Sequence, residues 1–112
     1  LNNPTAHAEV MALQSAGESL NNYRMPQCTL YITLEPCMMC AGALVHARVK
    51  RVVFGAYDAK TGVIETVDNC FNKPYLNHQV QWQGGVLKNE CSTLISDFFK
   101  LRRKAKKSAR SE

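Results

Sequence analysis

The sequence contains no apolar run that approaches the ~18–20 residues a membrane span requires, and nothing in it resembles a signal peptide. Its five cysteines are an odd number, and two of them form a Cys-x-x-Cys pair, so a disulfide framework is not expected. We therefore expect a cytoplasmic protein without membrane contact, whose thiols bind metal. The chain also lacks an initial Met, and its chemistry begins at His7, so we expect a preceding helix and hairpin to be missing.

Positive charge is scarce until the end of the chain. Residues 1–99 carry seven Lys or Arg against eight Asp or Glu, whereas residues 100–112 carry seven against one. The net charge of +5 is therefore concentrated in the tail. A basic tail on a near-neutral body favours a polyanion partner, first of all nucleic acid, although a solvated helix end has the same composition. The last part of the tail, residues 104–112, is a candidate for fraying.

A chain of 112 residues with a hydrophobic fraction of 46% predicts one globular domain, residues 1–112. A strand, a helix and a strand follow one another in its centre, which predicts two parallel strands joined by a crossover. Thiols at the carboxyl end of the first of these strands stand where open α/β sheets bind ligands. The predicted helices are 4–17, 37–48 and 87–105, and the predicted strands are 28–34, 49–55 and 79–83.

The sequence places two thiols, Cys37 and Cys40, three residues apart behind a strongly apolar run. Residues three apart on a helix share a face, so both can bind one ion. Pro36 is expected at the first helical position, where the helix dipole favours the thiolate form of the cysteines that follow. His7 and Glu9, upstream, add an imidazole and a carboxylate. One His and two Cys make three ligands, the number a catalytic zinc site uses while it keeps one position for water.

Glu9 is expected to act on the water and not on the metal. Residues two apart in an ideal helix point roughly 200° away from each other, so His7 and Glu9 can meet one water only if the site lies over the helix end. The alternative is a structural zinc site with four protein ligands. The candidates for its fourth ligand are Cys28, Cys70, Cys91 and His46, of which Cys28 and Cys91 are expected in the core.

The pattern His-x-Glu followed by Pro-Cys-x-x-Cys is the known signature of zinc deaminases that act on nucleobases, and it stands here at 7–9 and 36–40. At these residues the chain resembles bacterial tRNA adenosine deaminases of the TadA type. The likeness continues through segments 51–56, 58–62 and 96–103. The resemblance implies an α/β fold of the cytidine-deaminase-like kind, with a mixed sheet in three layers, α/β/α, and a homodimer. The family's first helix and two strands are the part expected to be missing.

The resemblance also implies a reaction, the hydrolytic deamination of adenosine to inosine at the wobble position of a tRNA anticodon. It implies one zinc ion per subunit, bound by His7, Cys37 and Cys40, which activates a water. Glu9 then passes protons to the ring and to the departing amine. Two further residues, Ala8 and Pro36, are expected to line the base pocket through their backbone groups.

A tRNA partner accounts for the basic tail, because Lys and Arg meet phosphates and a base is most easily flipped out of a loop. Phe98 is expected in the core, while its neighbour can face RNA. The residues expected to contact the anticodon stem-loop are Asp58, Asn77, His78, Phe99, Arg102 and Arg103.

Two other functions share the zinc signature. One is a deaminase of a free base or nucleotide such as guanine, cytosine or dCMP, which needs neither a basic tail nor the segment 96–103. The other is a non-catalytic, zinc-stabilised RNA-binding module, which has no use for the carboxylate of Glu9.

Overall fold

The computed structural model describes residues 7–22 and 24–110, except for the side chains of residues 99, 102, 103 and 105–110. Helices and parallel strands alternate through most of this length. In chain order the elements are α1 (Ala8–Leu20), β1 (Thr29–Leu34), α2 (Met38–His46), β2 (Arg51–Ala56), a 3₁₀ turn (Cys70–Asn72), β3 (Gln81–Gln83) and α3 (Lys88–Arg110).

The three strands form one sheet in the order β1-β2-β3, and both pairs are parallel. The register places Leu34 of β1 beside Ala56 of β2, and Arg51 of β2 beside Gln81 of β3. The predicted crossover unit of strand, helix and strand is therefore confirmed. The resemblance implied a mixed sheet, whereas the strands of the described residues are all parallel.

The central strand β2 is buried along almost its whole length because helices cover both faces of the sheet. On one face Val52 and Phe54 form a buried cluster with Leu44 of α2. Alternate residues of a strand point to opposite faces, so Gly55 lies on the opposite face of the sheet, where a side chain would collide with that of Cys91 on α3. The predicted three-layer α/β/α architecture is confirmed.

The starts of α1 and α2 differ from the prediction. His7 is the N-cap of α1 with extended backbone, so the helix does not run through it, and the predicted start near Pro4 lies outside the described residues. Gly17 does not end α1, which continues until Asn21 adopts a left-handed conformation at φ 53°. Pro36 is not the first helical residue either, because Cys37 after it is the N-cap of α2.

The last helix, α3, is present as predicted, but its apolar stripe is only partly covered. Leu94 is 63% exposed and Phe98 is 55% exposed, so the expectation that Phe98 lies in the core is wrong. A helix of 23 residues is ~35 Å long, whereas a sheet of three strands is only ~10 Å wide in the direction across its strands. Much of α3 therefore extends past the sheet. Within the described part of the chain, none of the helices is both long and apolar enough to cross a membrane.

Candidate active site

The structure brings His7, Cys37 and Cys40 together at the carboxyl end of β1. The Nδ1 atom of His7 lies 3.4 Å from the Sγ atom of Cys40 and 3.7 Å from the Sγ atom of Cys37. Their three ligand atoms all lie within 4.8 Å of one another. Cys40 is fully buried, whereas the other two side chains reach the surface, so the group is open on one side.

Two helix starts build this group. His7 and Cys37 are the N-caps of α1 and α2, and neither side chain makes a capping hydrogen bond to its own helix. Both side chains therefore remain available to a ligand. Cys40 is the third residue of α2, and the N-cap and third positions of a helix face each other, as they do in a capping box. The spacing Cys-x-x-Cys thus brings both thiols to one point.

The donor atoms fit a zinc ion. Zinc binds its ligands as a tetrahedron, with bonds of ~2.3 Å to sulfur and ~2.0–2.1 Å to nitrogen, so a sulfur and a nitrogen ligand stand ~3.6 Å apart. The observed separations of 3.4 and 3.7 Å bracket this value. None of the other thiols and imidazoles of the described residues joins the group, which leaves three protein ligands and one open position.

Glu9 also faces the group. It lines the same cavity as His7 and Cys37. Burial raises the pKa of the Cys40 thiol most, and the nearby Glu9 and Cys37 raise it further. The 200° separation expected of His7 and Glu9 does not arise, because His7 lies outside the helix with extended backbone. Without a cation the raised pKa keeps the Cys40 thiol protonated, and a bound divalent cation would favour its thiolate form.

A cavity of about 190 Å³ opens beside these side chains. It is small and half enclosed, and both polar and apolar residues line it. The lining residues are His7, Ala8, Glu9, Leu34, Glu35, Cys37, Asp58 and Thr61. A larger cavity of about 830 Å³ lies between α1 and α2, but it contains no thiol and is bordered mostly by apolar side chains, so we assign the chemistry to the smaller one.

Glu35 is the functional residue that sequence reasoning missed. Its side chain is 2% exposed, and its carboxylate accepts hydrogen bonds from the loop between β2 and the 3₁₀ turn. Burial alone would raise the pKa of Glu35, but these hydrogen bonds hold it below its ordinary value. The donors are the backbone N–H groups of Asp58 (3.1 Å), Ile64 (3.0 Å), Glu65 (2.8 Å) and Thr66 (3.0 Å) and the hydroxyl of Thr66 (2.5 Å).

Asp58, predicted to contact the substrate, borders the cavity at the start of this loop. Its Oδ1 atom accepts the backbone N–H groups of Lys60 and Thr61, and its Oδ2 atom accepts the Thr61 hydroxyl. These bonds close a tight turn and, against the effect of burial, lower the pKa of the Asp58 carboxyl. The Asp58 side chain is therefore ionised and fixed at the rim.

The remaining predicted site residues differ in whether they lie at the cavity. Ala8 borders the cavity, whereas Pro36 is buried and does not, and its carbonyl accepts the N–H of Val63. His78 Nε2 donates to the carbonyl of Val49 at 2.7 Å, near the amino end of β2 and thus ~20 Å, one strand length, from the cavity. Three more predicted contacts, Phe99, Arg102 and Arg103, lie on α3 with side chains outside the described part, and Asn77 is exposed next to His78.

The chain is similar to known deaminases. The family model of the MafB19-like deaminases matches residues 1–103. The tRNA-specific adenosine deaminase of Haemophilus influenzae is 51% identical over 93% of this chain, and that of Bacillus subtilis is 48% identical over 94%. The chain spans only 60% and 65% of the length of these two relatives. That of Agrobacterium fabrum is 39% identical, and 68% of its length is covered.

Solved structures point the same way. One from a study of A-to-I editing by tRNA:A34 deaminases superposes with a TM-score of 0.78 at 39% identity, over 82% of this chain and 67% of that one. A guanine deaminase from Nitrosomonas europaea, at 22% identity and a TM-score of 0.70, shares the fold over 85% of this chain and 57% of its own. The chain therefore belongs to the MafB19-like deaminase family.

Proposed function

We propose that the protein deaminates adenosine to inosine hydrolytically at the wobble position of a tRNA anticodon. The observation that carries this proposal is that Glu9 lines one cavity with His7 and Cys37, two members of the ligand group that Cys40 completes. A structural metal site does not need a carboxylate that stays unbound to the metal and faces its open coordination position. The names of the relatives, tRNA-specific adenosine deaminases, support the choice of substrate.

In this proposal His7, Cys37 and Cys40 hold one zinc ion, which supplies the Lewis acidity that makes water a nucleophile near neutral pH. Glu9 takes a proton from that water and delivers it to ring N1 as the oxygen bonds to C6. It then moves the remaining proton of the oxygen on C6 to the exocyclic amine; the C6–N bond breaks, ammonia leaves, and the oxygen becomes the carbonyl of inosine. The products of adenosine and one water are inosine and one ammonia. Glu9 ends in its starting protonation state, as a catalyst must.

The shape of the cavity favours a base presented from a single-stranded loop. With about 190 Å³ it has room for little more than one base, so the rest of a polynucleotide must lie outside. An anticodon loop meets this requirement at low cost because its bases are already unpaired. The proposal therefore has the base enter between Glu9 and the rim at Asp58, with the ribose and flanking nucleotides over the rim.

The substrate assay compares an anticodon stem-loop carrying A at the wobble position with free adenine, guanine and cytidine. We expect inosine from the stem-loop and no ammonia from the free compounds. A stem-loop with the A moved one position serves as the control and should stay unmodified. Ammonia from guanine or cytidine, with no inosine in the RNA, would instead show a deaminase of free bases or nucleosides.

The basic end of the chain is proposed to bind phosphates, so RNA affinity should depend on salt. Replacing Arg102 with Ala is expected to lower the slope of log K against log salt by about one, because one phosphate contact is lost. Replacing Lys73 with Ala removes the same charge at a site where Asp68 holds it at 3.0 Å, and should leave the slope unchanged. Equal slopes for Arg102→Ala and the unmodified protein would contradict this assignment.

The proposal also includes the oligomeric state and the location that are expected from the sequence. The resemblance to tRNA adenosine deaminases implies a homodimer. A tRNA substrate implies a cytoplasmic location, since tRNA is modified where it is used. Sedimentation of the purified protein measures the first: a molecular mass twice that of the chain supports it, and a single-chain mass at all concentrations contradicts it.

A further inference from the structure

Glu35 joins the two sides of the candidate active site. It directly precedes Pro36 and Cys37 on the metal-ligand side, while its carboxylate accepts its hydrogen bonds from the opposite side, the loop 57–66. A second hydrogen bond joins the same two segments: the Val63 N–H donates to the Pro36 carbonyl at 3.1 Å. The loop has no strand or helix of its own, so these bonds, together with the burial of Val63 and Ile64 in the core, fix its distance from the metal ligands.

The two oxygens of Glu35 hold different parts of the loop. Oε2 accepts three backbone N–H groups in a row, from Ile64 to Thr66, and so anchors the far end. Oε1 accepts the Thr66 hydroxyl and the N–H of Asp58, the residue at the cavity rim. All these bonds leave no free lone pair facing the cavity, so Glu35 is unsuited to act as a second general base.

Gly62 shows how closely the loop fits around this carboxylate. A side chain at Gly62 would collide with the Glu35 carboxyl group and would lie 2.7 Å from the carbonyl of Asp58. The loop therefore passes directly against the Glu35 side chain and not merely near it. Movement of the carboxylate must move the Asp58 turn as well.

We propose that Glu35 is a positioning residue, which holds the 57–66 loop as one wall of the cavity so that the Asp58 turn faces a substrate bound next to Glu9. The inference rests on the proposed function, since it assigns the loop to the recognition of that substrate. It predicts that Glu35 acts on substrate binding through Asp58, whereas zinc binding and proton transfer depend on His7, the two thiols and Glu9.

The test is Glu35→Gln, which keeps the size of the side chain but turns one acceptor oxygen into a donor. The amide is better tolerated at Oε1, where the Thr66 hydroxyl can rotate to accept, than at Oε2, where three N–H groups converge. The Asp58 N–H then loses its acceptor. We expect KM for the anticodon stem-loop to rise about tenfold, with kcat and bound zinc close to those of the unmodified protein.

A second pair of variants covers the case in which Glu35→Gln does not fold. Thr66→Val removes one of the hydrogen bonds to Oε1 and should raise KM about threefold, whereas Thr66→Ser keeps the hydroxyl and should restore it. Val80→Ala, at the amino end of the sheet, is the control for a general loss of stability: it removes buried volume far from the cavity and should lower Tm without changing KM.

The outcomes distinguish the positioning role of Glu35 from the proposed deaminase activity. If kcat of Glu35→Gln falls together with its zinc content while KM is unchanged, the positioning role is wrong. An unchanged KM in Thr66→Val would also overturn it. Either result leaves the deaminase proposal intact. Absence of inosine with the unmodified, zinc-loaded protein would instead reject the proposed function, and the kinetic role of Glu35 with it. A raised KM in Glu35→Gln and Thr66→Val, restored in Thr66→Ser, supports the inference.

Discussion

Replacing Glu9 with Gln should reduce kcat for the anticodon stem-loop by at least ~10²–10⁴-fold, the usual contribution of general acid–base catalysis. The amide keeps the size of the side chain but cannot take a proton from water or pass it on. Zinc content should remain at one ion per chain, because the three proposed ligands are His7, Cys37 and Cys40. The measurement pairs single-turnover inosine formation with elemental analysis of the same sample.

The control for this variant is Glu18→Gln, a change of the same chemistry on the same helix. Glu18 is exposed near the carboxyl end of α1, away from the thiols, so its replacement should leave both zinc and turnover unchanged. Near-normal turnover in Glu9→Gln would contradict the proton-transfer role. Loss of zinc in Glu9→Gln would mean that the carboxylate is a metal ligand and not a proton carrier.

Replacing Cys40 with Ala should remove zinc and turnover together. Cys40 is the buried member of the ligand group, with its Sγ atom 3.4 Å from His7 Nδ1, so its loss leaves only two ligands. A catalytic zinc site uses three, and two leave the ion weakly held. The unfolding midpoint should also fall, because metal that binds only the folded state stabilises it. Zinc content and Tm, with and without a chelator, measure both effects.

Cys28→Ala is the matched control, because Cys28 is a free thiol that stands before the amino end of β1, at the other end of the sheet. It should keep a full complement of zinc, and the chelator should lower its Tm as much as that of the unmodified protein. Zinc retained in Cys40→Ala, or lost in Cys28→Ala, would contradict the assigned ligand group and favour the alternative structural site.

The sequence predicted the grouping of the three proposed ligands well, because their spacing is local or follows directly from a strand end. Cys37 and Cys40 stand on one helix, and the parallel strands place that helix start at the ligand-binding edge of the sheet. The prediction was wrong about where α1 and α2 begin. Helix propensity favours Pro at a first position, but His7 and Cys37 occupy the N-caps, where they face outward towards a common point.

The loop around Glu35 could not be predicted because its order comes from one buried carboxylate and not from a periodic pattern. Segment 56–78 shows no alternation of polar and apolar residues, and its backbone donors find their acceptor on a residue about 30 positions earlier. A hint was present: an acidic residue at the end of an apolar strand, directly before Pro and a metal-ligating thiol, needs partners if it is buried.

The exposed stripe of α3 shows a second limit of the pattern. Spacings of three and four predicted the helix but not the length over which a partner covers it. Cys91 packs against Gly55 of β2, whereas Leu94, Phe98 and Leu101 remain more than half exposed. Periodicity reports which face of a helix is apolar, and only the tertiary structure shows how far the sheet extends beneath it.

The most direct test is to reconstitute the metal-free protein with zinc while inosine formation in the anticodon stem-loop is measured. Because the structure groups three ligand atoms within 4.8 Å of one another, one ion per chain should suffice. We predict that activity rises in proportion to added zinc and reaches its plateau at one equivalent per chain. Inosine formed at full rate by the metal-free protein, or none formed at one bound zinc per chain, would contradict the account.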